Sequence, residues 1–391
     1  MTRHAVIVGG GIIGLSTCFE FQDAGFEVTL VDPEPFSGAT HHAGGMLAPT
    51  AEVQYQQHEL VPLMKESAAL YPGLIERVTQ YTNLPTGYRT EGTLLVGADR
   101  ADGQHLSELI DYVKAADLDI EPLTTRHARQ LEPGLSPRVA RVARIGGDHQ
   151  LDPRLFARAL YDAVRSRGAQ HIKDSAHTIS VHSLSAHCDA DANPSHTVVL
   201  NSGERITVGH SDVVVLAAGL GAMNITGWFE DAHPLQLRPV YGDVVRVRVP
   251  KALRPLTTRV VRGFVEDRPI YVIPRTDGTV TIGATSREDH PYPRTSAIYD
   301  LLRDAIRIVP GLEETDFVEA TCGARPGTPD DLPYLGQAHD GLIISTGYFR
   351  HGILLAALGA RTAVAFATGQ KTFPDIAACD PYRHVAHTLN V

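Results

Sequence analysis

Apolar and polar positions along the 391-residue chain change period several times, and each change predicts an element. "AVIVG" at 5–9 is short and β-branched, as a fully buried strand requires. "IIGLSTCFEFQDAG" follows with apolar residues at helical spacing and a glycine stop. "EVTLVD" predicts a second strand that ends at Asp32. Further on, "HELVPLMKESAALYPGLIERVTQ" reads as helix and "EGTLLVGA" as strand. "LDPRLFARALYDAVRSRGA" predicts a helix with Asp152 as N-cap, Pro153 at its first position and Gly168 as its stop. "AHTISVHSL", "HTVVLNSG" and "ERITVG" predict a small antiparallel meander, with the polar tract 189–195 at a hairpin tip. "DVVVLAAGLGA" is a buried strand running into a small-residue turn at Ala217, Ala218 and Gly219. From 238 onward "YGDVVRVRVP", "RPIYVIPR" and "GTVTIGAT" alternate with the period of half-buried strands. The last apolar block, "DGLIISTGYFRHGILLAALGARTAVAFATG", predicts strand, glycine-rich turn and helix.

A chain of this length outgrows one small core, so two domains are expected, assembled from discontinuous segments. Hydrophobic residues make up 43% and charged residues 20%, ordinary for a soluble globular protein. The net charge of −10 argues against nucleic acid or an anionic membrane as the main partner. Four cysteines (Cys18, Cys188, Cys322 and Cys379) are scattered with no CxxC pair. That spacing disfavours a disulfide scaffold or a zinc site and fits a reducing, cytoplasmic setting. "MTRH" leads straight into a strand, and no apolar run approaches the roughly 18 residues of a membrane span. Neither a signal peptide nor stable membrane association is therefore expected.

Gly9, Gly11 and Gly14 form G-x-G-x-x-G between the first strand and the first helix, with Asp32 closing the second strand. In that context the first glycine permits the turn and the second lets a pyrophosphate approach the backbone. The third lets helix pack on strand, while the N–H groups at Ile12 and Ile13 open toward the anion. Asp32 is placed to accept from ribose hydroxyls. The bland alternative is a glycine-rich tight turn, and the motif alone does not separate NAD from FAD. The later pattern does: antiparallel sheet interrupts the dinucleotide domain, which a C-terminal strand and helix then close. Nicotinamide enzymes usually keep that domain contiguous, so a flavin is expected.

"GGGIIGLST", "GATHHAGGMLAPTAE", "RPIYVIPRTDGTVTIGAT", "ARPGTPDDLPYLG" and "TGYFRHGILLA" together resemble the D-amino-acid oxidase superfamily. Within it the chain is most similar to the glycine oxidases of thiazole biosynthesis. The resemblance runs nearly end to end, with 99–145 and 183–196 least covered. It implies an α/β fold with a Rossmann-like, glutathione-reductase-like FAD-binding domain and a second, antiparallel-sheet substrate domain. The expected boundaries are 1–85, 146–230 and 321–391 for the first and 86–145 and 231–320 for the second. It also implies non-covalent FAD, a small amino-acid substrate, O2 as acceptor, and a homo-oligomer. The implied reaction moves hydride from the α-carbon of glycine to flavin; the imine becomes glyoxylate and ammonia, with hydrogen peroxide as co-product, for thiamine thiazole synthesis. A broader D-amino-acid or sarcosine oxidase, or a dehydrogenase passing electrons to a quinone, remains the alternative.

Residue by residue, the resemblance places Arg325 of "ARPGTPD" as the carboxylate-binding arginine, at a strand end facing the flavin. A guanidinium fork suits a carboxylate because two parallel N–H bonds fix its plane. Tyr271 of "IYVIPR" resembles the pocket tyrosine, and Arg350 of "YFRHG" an arginine near substrate and flavin. Gly347 and Gly352 bracket the last turn, and His351, Gly352, Ile353 and Leu354 open the helix whose dipole faces the flavin. Thr40, His41, Gly44, Gly45 and Met46 match the loop around ribityl and pyrophosphate. Thr178 falls at a backbone contact to adenine, and Ala218 and Gly219 at the turn beside the cofactor. No general base is expected, since an amine arriving neutral needs none.

Several positions depart from the family pattern. His41 and His42 replace small or aromatic residues; read as strand neighbours they face apart, so no metal is expected. Pro269 stands where relatives carry a polar pocket residue, Ser286 where a bulkier apolar one occurs, and Tyr241 where glycine oxidases often have Lys. The first two bear on pocket size and hence on glycine specificity, and the third favours a general D-amino-acid reading. Cys322 lies one position from the site of covalent flavin attachment in some relatives, and reads instead as a buried structural thiol. Two rivals remain from other classes: an NAD(P)-dependent dehydrogenase, which would not need the C-terminal strand-turn-helix, and a non-catalytic flavin-binding protein, which would not need a carboxylate fork.

Overall fold

The run Ala5–Val8 of strand His4–Val8 is apolar and buried on both sides, and this fixes the first layer. Ala5 and Ile7 point into one apolar cluster, while Val6 and Val8 point into another. The computed structural model describes residues 2–182, 196–230, 232–372 and 374–385. A six-stranded sheet has the order Tyr334–His339, Leu342–Thr346, Val213–Leu216, His4–Val8, Glu27–Val31 and Gln170–Ile172. Its pairs are parallel except the first, which is an antiparallel hairpin at the edge. The helices Ile12–Asp23, Leu60–Thr79, Pro153–Ser166 and Gly352–Thr368 cover one face. The meander Ala176–Val181, His196–Leu200, Arg205–Val208 contributes to the core on the other.

Helix Pro153–Ser166 starts as the sequence predicts. Asp152 caps it by accepting from Arg154 and Leu155 N–H, and Gly168 follows it at φ +90°. The hairpin tip expected at 189–195 lies outside the described residues.

The second layer is an eight-stranded sheet with the order Asp316–Gly327, Arg238–Arg248, Thr279–Gly283, Arg268–Pro274, Val260–Val265, Thr93–Gly97, Arg141–Ile145 and Glu121–Leu123. It is antiparallel except where Val260–Val265 pairs parallel with Thr93–Gly97, so the expected purely antiparallel sheet is a mixed one. Leu301, Ala305 and Ile308 of helix Thr295–Ile308 pack into its core. The expected boundary at 321 cuts through the strand Asp316–Gly327, which belongs to this sheet along its whole length.

The sequence pattern also left helices Arg100–Ala115 and Thr295–Ile308 and strand Val260–Val265 unread. The first had a local signal: Asp99 and Asp102 form a reciprocal capping box, with apolar residues at 106, 109, 110 and 113. A second correction concerns apolar length. The stretch Phe349–Thr368 is apolar and long enough to cross a membrane by composition. It is mostly buried, with eleven residues between Ile353 and Ala365 inside the fold, where the helix packs against the first helix and Leu60–Thr79.

Candidate active site

The glycine turn is shaped by close backbone approach. Gly9 has φ +111°, and a Cβ there would lie 2.5 Å from the Ala217 carbonyl oxygen. A Cβ on Gly14 would overlap the Gly9 carbonyl, so this third glycine serves packing and does not line the cavity. Asp32 accepts Gly10 N–H at 2.6 Å on one carboxylate oxygen and Glu34 N–H at 2.8 Å on the other. Each oxygen keeps lone-pair capacity for a further donor. Thr40 Oγ1 accepts Ile12 N–H at 3.0 Å, fixing the loop to the first helical turn.

From this turn a cavity of about 1120 Å3 runs between the two layers to the eight-stranded sheet. Gly9, Gly11, Ile12, Ile13, Asp32, Thr40, Gly44, Gly45, Met46, Ala218, Gly219, Gly347, Arg350, His351, Gly352, Ile353 and Leu354 line it, as do Tyr271 and Arg325. The first turn of helix Gly352–Thr368 is braced from behind. Tyr71 donates to the Ile353 carbonyl, and Ser67 donates to Leu354 O at 2.6 Å while accepting Leu358 N–H at 3.1 Å.

Two expected positions are displaced by one residue. His41 and His42 belong to a one-turn helix, Ala39–His42, not a strand. His42 lines the cavity, whereas the carbonyl of His41 accepts from Arg154 at 2.9 Å and Arg246 at 3.3 Å. Thr178 is also off the lining, which takes His177, Ala176 and Ser175 instead. The cause is a register shift: Val199 pairs with Thr178 but Leu200 with Ala176, which leaves His177 bulged.

At the far end Tyr271 is 8% exposed, and a Cβ on Gly44 would lie 2.9 Å from its hydroxyl. Burial raises its pKa against the opposing pull of Arg325. Arg325 donates Nη1 to Thr285 O at 3.2 Å. Arg350 is nearly enclosed, with Nε and Nη2 buried and without a hydrogen-bond partner among the described residues. Burial drives the His351 pKa down to about 3 and that of His42 to about 4, so both rings are neutral near pH 7.

Sequence reasoning missed the pair Glu52–Arg262, which meets at 2.9 Å on the same cavity wall. Arg262 Nε also donates to Ala51 O at 2.7 Å. The buried Asp148 accepts Thr50 and Ala51 N–H at 3.1 and 2.7 Å, and burial pushes its pKa up to about 7. The available signal was the acid at the end of "AGGMLAPTAE". Its partner lies about two hundred residues away and carries no local mark.

Tyr241, Pro269 and Ser286 line the cavity too. Cys322 is not the fully buried thiol expected: it is half-buried and reaches the cavity wall. Arg287 donates to its Sγ at 3.4 Å, and burial together with Asp243 raises the thiol pKa to about 11. A thiol held protonated is a poor nucleophile.

The cavity fits an FAD. Bare backbone at Gly11, where a Cβ would meet only Thr40 Oγ1 at 3.5 Å, leaves room for a pyrophosphate, Asp32 has acceptor capacity for a ribose, and buried Arg350 donors await an acceptor at the other end. An interrupted dinucleotide layer facing a mixed eight-stranded sheet across such a cavity defines a flavin-dependent oxidoreductase. The chain belongs to the FAD dependent oxidoreductase (DAO) family, whose model matches residues 4–365, and its cofactor is FAD.

It is 33% identical over 382 residues to the bifunctional protein ThiO/ThiG of Trichormus variabilis, covering 96% of this chain and 54% of that protein. The chain thus spans about half the length of that relative. It is 29% identical over 385 residues to the glycine oxidase of Geobacillus kaustophilus, covering 97% of this chain and 96% of that enzyme. The crystal structure of glycine oxidase from that organism superposes with a TM-score of 0.84 at 28% identity, covering 98% of this chain and all of that one.

Proposed function

We propose that the chain is an FAD-dependent oxidase of small amino acids, with glycine as substrate, serving thiazole formation in thiamine synthesis. The observation that carries the reading is Arg325 and Tyr271 facing the same cavity as the glycine turn and the first turn of helix Gly352–Thr368. The relatives named glycine oxidase and ThiO/ThiG support the substrate and the pathway.

FAD supplies the hydride acceptor. Arg325 and Tyr271 hold the substrate carboxylate in a fixed plane, which sets the direction of the α-carbon hydrogen. Arg350 adds charge and two free donors beside it. Helix Gly352–Thr368 turns its first N–H groups toward the cavity, a position that favours negative charge. Ser67 and Tyr71 hold that turn in place. Burial around Tyr271 and His351 limits water at the reacting end. The amine that loses hydride leaves as an imine; water converts it to glyoxylate and ammonia, and O2 takes the two electrons to give hydrogen peroxide. No side chain is assigned as a base.

The test is oxygen uptake and peroxide release by the FAD-loaded protein with glycine, sarcosine, D-alanine and D-proline in parallel. Glycine giving the highest kcat/KM supports the proposal. A preference for D-alanine or D-proline moves the chain to the broader oxidases, and reduction by an amino acid without peroxide makes it a dehydrogenase.

A further inference from the structure

We infer that Glu52 sets the substrate class of this site: it cancels one of three arginine charges, so the cavity accepts a single carboxylate and turns away dicarboxylic amino acids. The inference rests on the amino-acid reading above and deepens it.

The ionisable lining residues divide between the two ends of the cavity. Asp32 and Glu34 stand at the glycine turn, where Glu34 N–H is bonded to Asp32. The lining at the other end carries Arg262, Arg325 and Arg350 against Glu52 and Asp331, three positive charges less two negative. Just behind it Arg238 meets Asp331 at 3.6 Å and Asp148, with a pKa of about 7, backs Glu52, so near pH 8 those two cancel and the total is +1. The neighbouring histidines add nothing near pH 7, since burial holds His351 and His42 neutral.

Glu52 is fixed rather than mobile. Asp148 grips the two N–H groups of Thr50 and Ala51 just before it. Arg262 then binds the Ala51 carbonyl and the Glu52 carboxylate from the opposite sheet. Both side chains are about nine-tenths buried, at 10% and 12% exposure, so solvent screens the pair little. Burial by itself would raise the Glu52 pKa, yet Arg262, Arg350 and Arg325 outweigh it and hold the carboxyl below its usual value. The charge is therefore present in the working pH range.

An enclosed site disfavours net charge. A ligand with one carboxylate and a neutral amine brings the total to zero, while a dicarboxylate overshoots to −1. The same balance favours the neutral-amine form over the zwitterion, and only the neutral form has a lone pair to expel hydride.

The experiment measures binding without turnover. FAD-loaded protein is titrated with acetate and with malonate near pH 8, and the flavin absorption reports occupancy. The native protein should bind acetate more tightly than malonate. Glu52→Gln raises the local charge to +2 and should shift the acetate-to-malonate affinity ratio toward malonate by about tenfold or more. Glu52→Gln combined with Arg262→Gln returns the charge to +1 and should restore the native ratio. Arg262→Gln alone brings it to zero and should weaken acetate by about tenfold.

Both acids binding with an unchanged ratio in Glu52→Gln overturns the inference. If Glu52→Gln fails to hold FAD, the other two variants decide: native acetate affinity in Arg262→Gln, or a lost preference in the double variant, overturns it. Neither acid binding the native protein removes the carboxylate pocket itself, and the amino-acid reading falls with it.

Discussion

The carboxylate of Asp32 accepts the N–H of Gly10 at 2.6 Å, joining the end of the second strand to the turn that closes the first. The residue expected to hold a ribose therefore also holds the turn that meets the pyrophosphate. Asp32→Ala should lose both contacts. A hydrogen bond to a charged group contributes about 1.5–3 kcal/mol, so FAD binding should weaken by roughly ten- to a hundredfold. Titration of apoprotein with FAD, read by flavin fluorescence, checks this; native affinity in the variant would contradict it.

Two glycines should respond oppositely to the same change. In Gly14→Ala the new methyl meets the Gly9 carbonyl, so the turn must open and FAD should not be retained. Gly73 lies on an exposed part of helix Leu60–Thr79 with nothing within 4 Å of an added Cβ. Gly73→Ala should raise stability by about 0.5–1 kcal/mol, because alanine loses less backbone freedom on folding. Urea unfolding with flavin absorbance recorded alongside separates the two outcomes.

Arg325→Ala should raise the dissociation constant for a carboxylate ligand by roughly a hundredfold. The oxidised flavin spectrum should persist, because Arg325 stands on the eight-stranded sheet rather than on the glycine turn. Arg325→Lys should recover only part of the loss, since one ammonium does not reproduce the fork. Unchanged acetate binding in Arg325→Ala would remove this residue from the pocket.

Acid should destabilise the protein through its buried histidines. His351 is held neutral in the fold, with its pKa down to about 3, while the unfolded chain takes up a proton near the ordinary value of 6.5. Between these values the unfolded state binds more protons, so stability falls as pH falls, by at most ~1.4 kcal/mol per pH unit for this group. His42 adds to the same trend down to about 4. The melting temperature of the FAD-loaded protein should drop between about pH 6.5 and about pH 5. His351→Gln should make that slope shallower, and a slope as steep as the native one would contradict the assignment.

What the sequence made legible was local. Gly9 to Asp32 form one strand-turn-helix-strand unit, and Asp152 caps a helix whose apolar spacing is complete within itself. Arg325, Tyr271 and Arg350, which all line the cavity, were singled out through their motifs rather than through period, because an arginine beside a Pro-Gly turn carries no mark of burial. Glu52 and Arg262 escaped because their pairing depends on two sheets meeting, and neither residue looks unusual alone. Thr178 was misplaced by one residue because a bulge on an edge strand shifts the lining without altering the alternating pattern. The histidine pair was misread for a related reason: a single helical turn is too short to show a period.

The most direct test of the central claim is anaerobic rapid mixing of the FAD-loaded protein with glycine, followed by readmission of air. The account predicts that the yellow colour bleaches in a single fast step, returns promptly with oxygen, and leaves glyoxylate, ammonia and hydrogen peroxide in equal amounts. A flavin that stays oxidised with glycine and with every other small amino acid would contradict it.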